Sequence, residues 1–202
     1  MPFAIWGMSS RGHRVRDVGA YMLHASAWRE TSLIVQIFSR EHGNVAMVAK
    51  GAKRPYSALR PILAAFQPLK VSWSGAGEVK TLSKAELTGI RPLVGRALMS
   101  AWYMNELLIR LLPREDPHPG LYDAYDEALK ALAKGGSAAS ALRRFEWTLL
   151  EETGYGFEGE PPQFDDPAEE KRMRSILRAR LDELLGRPLR TRQVMLDLQR
   201  YS

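Results

Sequence analysis

The feature that most constrains this chain is a change of period. From Asp17 to Leu82 apolar and polar residues alternate, the two-residue repeat that puts every second side chain on one face of a strand. Val18, Ala20 and Met22 share a face of Asp17–Leu23, as Leu33, Val35 and Ile37 do in Ser32–Phe38. Val45–Ala49, Leu69–Trp73 and Glu78–Leu82 follow, with turn chemistry at Glu41-His42-Gly43-Asn44 and Ser74-Gly75-Ala76-Gly77. From Pro92 the repeat lengthens. Leu98, Trp102, Leu107 (with Leu108) and Leu111 recur at helical spacing until Pro113 and Asp116–Pro119 stop the run. Tyr122–Ala133, Ser137–Thr153 and Glu169–Leu185 read as further helices, and Thr191 is placed to cap a short last one to Gln199. Gly154-Tyr155-Gly156 closes the third helix, and the proline-rich Phe157–Pro167 reads as a surface loop.

Five or six short strands in one stretch cannot bury both faces as a flat sheet, and closure removes the exposed edges. An OB-fold barrel is therefore expected, with an SH3-like barrel as the alternative that strand count leaves open. The expected class is α+β, all-β and then all-α. It comprises an OB-fold domain over 17–91, an α-helical bundle domain over 92–202 and a flexible basic arm over 1–16 carrying Arg11, Arg14 and Arg16.

Charge changes where the period does. Met1–Gly95 carries 13 Lys/Arg against 5 Asp/Glu, Arg96–Glu160 carries 7 against 11, and Pro161–Ser202 carries 9 against 7. The net +6 is thus a basic barrel partly offset by an acidic bundle, which favours a polyanionic partner for the first. With no cysteine, disulfides, thiolate catalysis and sulfur-bound zinc or iron are excluded. His13, His24, His42 and His118 include no pair at helical ligand spacing, so no metal or other cofactor is expected. Apolar runs such as Val45–Ala49 and Ile62–Phe66 fall far short of the roughly 20 residues of a bilayer span. No secretory apolar core of about 7–15 residues opens the chain. No membrane partner is expected, and a cytoplasmic location follows.

The most informative local sequence runs from Val48 to Arg60. A strand ends in a turn bearing Lys50, Lys53, Arg54 and Arg60, without an acid, with Gly51 for the bend and Tyr56 as a stacking aromatic. Such a cluster binds phosphates through counterion release, and an aromatic beside it stacks on an unpaired base. These residues, with Lys80 on a later strand, are the DNA-binding candidates, the bland alternative being a solvated surface loop. Carboxylates are not gathered for catalysis. Glu30 lacks a second acid nearby and, with Thr31, reads as turn-stabilising. Asp165, Asp166, Glu169 and Glu170, which in isolation would evoke magnesium, sit where acids complement a helix N-terminus. No catalytic residue is assigned, and the chain is read as a non-enzyme.

An ordered set of segments resembles the RecO family of bacterial recombination mediators. It runs through Ala20–His24, Trp28–Leu33, Phe38–Gly43, Val48–Lys53, Leu63–Leu69 and Gly77–Leu82. In the helical part it continues with Tyr103–Leu108, Leu142–Glu146 and Gly154–Gly156, and Gly186–Arg192 is also similar. The resemblance implies an N-terminal OB-fold that binds single- and double-stranded DNA and an α-helical domain behind it. It also implies annealing of complementary strands, binding of RecR and of the C-terminal tail of the single-strand-binding protein SSB, and help in loading RecA in RecF-pathway repair, nucleoid-associated in the cell. For the SSB tail, an acidic peptide with an aromatic end and a free carboxylate, the matching surface is an apolar slot rimmed by arginine. The candidates are Arg143, Arg144, Leu142 and Leu129, against the alternative that Arg143 merely pairs with Glu146 or Glu127. The sequence departs from the family in lacking the four-cysteine zinc module and in a much shorter stretch between Gly156 and Glu169. A second functional reading is a protein-interaction adaptor with a basic OB module that does not depend on direct DNA binding.

Overall fold

The computed structural model describes residues 14–135 and 138–194. Five strands come first: β1 (Arg14–Trp28), β2 (Ser32–Ser39), β3 (Gly43–Ala49), β4 (Pro68–Ser74) and β5 (Val79–Leu87), with a short helix α1 (Leu59–Ile62) between β3 and β4. Four helices follow: α2 (Gly95–Leu111), α3 (Pro119–Ala133), α4 (Ala138–Glu152) and α5 (Pro167–Leu185). The strand order is β1-β2-β3-β5-β4, and β4 pairs back onto β1. All pairings are antiparallel except β3–β5, a parallel seam of three residue pairs. That order is OB-like, which decides against the SH3-like alternative. The α+β class, strands then helices, is as the change of period predicts.

The interior of the barrel is filled by Val35, Ile37, Val45, Met47, Leu69, Val71 and Trp73, all nearly inaccessible, while Leu59 and Ile62 of α1 pack against it. β-Branched residues suit a half-buried pleated surface, which is why these segments become strands. β1 has two lives. Up to Leu23 its outward residues, Tyr21 and Leu23, are buried against the helices. A register shift between Met22 and His24 then turns His24, Ser26 and Trp28 outward into solvent.

The helices pack on the outer face of the barrel at the Tyr21–Phe38 row. Tyr21, Leu23, Phe38 and Phe66 belong to the same buried cluster as Met104, Leu107, Tyr125 and Phe145. Trp102 meets Phe66 edge-on at 4.9 Å, a seam position. Most polar groups at the seam are paired, the Ser39 hydroxyl and the Arg91 Nε being buried without a hydrogen-bond partner. Asn105 donates to the Leu23 carbonyl at 2.9 Å and accepts from the Tyr125 hydroxyl at 2.5 Å. Arg40 makes two 2.9 Å bonds to Asp123. Asp126 accepts from the Tyr21 hydroxyl and from Arg91, so although burial works to raise its pKa, these donors and Lys130 hold it below the ordinary carboxylate value.

Three boundaries differ from expectation. β1 begins at Arg14, so Arg14 and Arg16 lie in a strand and not in a flexible arm; Arg11 lies outside the described residues. Helical residues resume at Arg190, one before Thr191, and their cap comes from elsewhere: the Glu106 carboxylate of α2 accepts from the Arg190 and Thr191 amides at 2.8 and 2.9 Å. The expected end at Gln199 and the Ser137 start of the third helix lie outside the described residues. At α5 the acids do what helix N-termini favour. Asp166 accepts from the Ala168 amide at 3.0 Å, and Glu169 and Glu170 occupy the first turn. Among the described residues no helix is long and apolar enough to cross a membrane.

Candidate nucleic-acid interface

Two loops meet at one end of the barrel. The β1–β2 turn (Arg29, Glu30, Thr31) follows the Trp28–Ser32 pair, and the β3–α1 loop follows the Leu33–Ala49 pair. Lys53 ties them together: its amide donates to the Thr31 carbonyl at 2.9 Å and its ammonium to the Arg29 carbonyl at 3.3 Å. The Thr31 group in this contact is its backbone carbonyl, so the tie between the loops does not draw on the threonine side chain. Gly51 has φ of +70°, the left-handed bend that lets the chain reverse after β3.

Lys50, Lys53, Arg54 and Arg60 are exposed, and Tyr56 is as accessible as in an extended chain. None of the four cations forms an ion pair with a described carboxylate. Several cations elsewhere are committed, Arg40 to Asp123, Lys84 to Asp17 and Glu86, Arg91 to Asp126 and Arg114 to Glu78, while Arg14, Arg16 and Lys70 of the barrel also form no ion pair with a described carboxylate. The β3–α1 turn, expected from the sequence to bind phosphates, thus gathers four unpaired cations within eleven residues. Sequence reasoning missed two members. Trp28 is 43 % exposed, and the Arg29 guanidinium lies over its ring at 5.9 Å. The signal that could have found them is position: the last residue of an OB strand and the turn beyond it.

Lys80 does not join this group. Its side chain is 8 % exposed, its ammonium pairs with Glu115 at 2.8 Å and donates to the Gly77 carbonyl at 2.9 Å. Alternation directs it away from the outer face that Val79 and Thr81 share, so it secures the β4–β5 turn against the α2–α3 linker.

The four residues expected to hold an acidic peptide are also divided. Leu129 is fully buried in the core and lines no surface. Arg144 faces a groove of about 600 Å³ between α3, α4 and the following loop, pairs with Asp165 and lies 5.9 Å over the Phe164 ring. Leu142 and Arg143 face the opposite groove, about 560 Å³ between α2, α4 and α5, whose rim includes Arg96, Arg174, Arg178 and Arg192. Arg143 is 8 % exposed and pairs with Glu146 at 2.6 Å, the pairing foreseen as the alternative. Arg174 and Arg192 pair with Glu170 and Asp182, whereas Arg96 and Arg178 have no described carboxylate partner.

Comparison with known proteins places this geometry in a family. The N-terminal model of recombination protein O matches residues 16–91, and its C-terminal model matches residues 94–160. The chain is 55 % identical over 166 residues to DNA repair protein RecO of Aromatoleum aromaticum, an overlap covering 80 % of this chain and 69 % of that one. It is 48 % identical over 195 residues to DNA repair protein RecO of Ralstonia nicotianae, covering 93 % and 72 %. The protein of that name from Cupriavidus pinatubonensis is 56 % identical over 143 residues, covering 70 % of this chain but 49 % of its own.

Proposed function

The chain belongs to the recombination protein O family, and on that premise we propose that it is a non-enzymatic DNA-binding recombination mediator. It binds single- and double-stranded DNA, anneals complementary strands and helps load RecA on SSB-coated DNA, with RecR and SSB as protein partners in the cytoplasm. One observation carries the DNA-binding reading: Arg29, Lys50, Lys53, Arg54 and Arg60 are gathered on the two tied loops and the adjacent α1, without carboxylate partners among the described residues. Annealing brings two phosphate backbones together, and neutralising them is what unpaired cations do. For the acidic SSB tail, the groove between α2, α4 and α5 supplies the apolar wall at Leu142 and the arginine rim.

The test is annealing of complementary SSB-coated oligonucleotides across a salt series, with wild type and K50A/K53A/R54A. Losing three phosphate contacts should lower the salt slope of single-strand binding by about 2 and slow annealing with it. Unchanged DNA affinity with retained activity would instead establish the adaptor reading. For the tail, the rim arginines Arg96 and Arg178 are the positions to reverse, because Arg143→Glu would bury two carboxylates together. R96E/R178E should weaken an SSB-tail peptide and leave DNA affinity within about twofold.

A further inference from the structure

The outer face of the barrel is covered by helices only as far as Tyr21, Leu23 and Phe38. Beyond them it is open across four strands. Ser26 and Trp28 of β1 lie beside Ile34 and Ser32 of β2, and Ile34 lies beside Val48 of β3, itself paired with Thr81 of β5. By the alternation of the strands, no lysine, arginine or carboxylate stands on this open part; all the charge is on its rim. Trp28 closes the rim end, and two things hold it there. Arg29 adopts a left-handed φ of +52°, an unusual conformation for a side chain with a Cβ, and its guanidinium lies against the ring. The Arg29 carbonyl is fixed by Lys53 from the neighbouring loop.

We propose that Trp28 is the specificity-determining residue that makes this interface select unpaired nucleic-acid strands, by stacking on an exposed base while the rim cations hold the phosphates. The inference rests on the DNA-binding reading above and names the substrate form. A duplex turns phosphates outward and keeps its base faces stacked inside, so it gains from Arg29, Lys50, Lys53 and Arg54 but not from an indole on a sheet face without formal charge. An unpaired strand offers both. Its bases meet Trp28 and the strip through Ile34 and Val48, and Tyr56 in the adjacent loop offers a second ring.

The experiment compares three probes at one low salt concentration: an unpaired oligonucleotide, the same backbone with abasic positions, and its duplex. Wild type should bind the base-bearing strand more tightly than the abasic one. Trp28→Ala should cost roughly five- to hundredfold on the base-bearing strand and erase its advantage over the abasic one. Duplex affinity should stay within about twofold. Trp28→Phe, which keeps a ring, should restore most of the difference. An equal fall on all three probes, or no fall on any, overturns the assignment of Trp28 and leaves the DNA reading standing. Wild type that binds none of the probes overturns the DNA reading and this inference together. Circular dichroism of the variant confirms folding, which an exposed substitution at a strand end should preserve.

Discussion

Glu146 is buried at 1 % exposure, with one carboxylate oxygen contacted by the Arg143 guanidinium and the Tyr103 hydroxyl and the other without a hydrogen-bond partner. Across from it on α5 stands Glu170, paired with Arg174. Burial is the dominant influence and pushes the Glu146 pKa up to about 7, against the opposing pull of Arg143 and Tyr103. The folded protein therefore holds this proton more tightly than the unfolded chain does. Its contribution to stability is full below the unfolded value of 4.5, is lost as pH rises through about 7, and is constant above that. Glu146→Gln keeps the shape and an acceptor for both donors but cannot ionise. Urea unfolding between pH 4.5 and 8 should show wild type losing about 1–3 kcal/mol more than E146Q across that interval. Parallel pH profiles for the two proteins would contradict it.

At the scale of elements, the segment from Pro113 to His118 joins α2 to α3 and also closes the β2–β3 turn. The Glu115 amide donates to the Asn44 carbonyl at 3.0 Å, and Gly43, with φ of +64°, lies so close that an added Cβ would stand 2.0 Å from the Asp116 carbonyl oxygen. Gly95, at the start of α2, has a similar φ of +54° with nothing within 4 Å. The left-handed conformation costs an L-residue about 1–2 kcal/mol, so Gly95→Ala should lose about that much, whereas Gly43→Ala must also displace the linker and should lose clearly more. Equal losses in denaturant midpoints would show that the contact yields freely. The same segment explains what was legible beforehand. Strand positions follow from alternation and turns because these are local, and so do the cations of the β3–α1 loop; the strand order, with its parallel β3–β5 seam and β4–β1 closure, joins distant segments, which is why strand count left two barrels open. The fate of Lys80 depends on Glu115, a partner 35 residues away that no periodicity announces. Helix α1 is one turn long and contains Pro61, too short to carry a helical repeat. Trp28 and Arg29 were hidden for a third reason: a register shift at Met22–His24 reverses the facing of the strand end, which simple alternation does not foresee.

Over the whole molecule, the two halves that differ in period and charge share one buried cluster. Tyr21 and Phe38 of the barrel meet Tyr125 of α3 at centroid distances of 5.2 and 6.2 Å, and Asn105 of α2 bonds to the backbone of β1. Each half alone would expose that seam to water, and the Leu23 carbonyl of β1 would lose the Asn105 amide of α2. In the intact protein Asn105→Ala leaves the Leu23 carbonyl and the Tyr125 hydroxyl buried without that partner, at about 1–3 kcal/mol for each group. Burial of common apolar surface makes unfolding of one half remove support from the other, so a single cooperative transition is expected despite the two architectures. Trp73 reports on the barrel interior and Trp147 on the helices, both nearly fully buried. Variants retaining one or the other as the sole tryptophan should give coincident urea midpoints, and both should match far-ultraviolet circular dichroism. Asn105→Ala should shift the two reporters together by the same amount. Two separated midpoints would mean that the barrel and helices are independent bodies. Coincidence has a functional consequence: the cationic rim at the β1–β2 turn and the arginine groove between α2, α4 and α5 are then parts of one cooperative body, so the DNA strand proposed for one and the acidic peptide proposed for the other would be presented in one geometry.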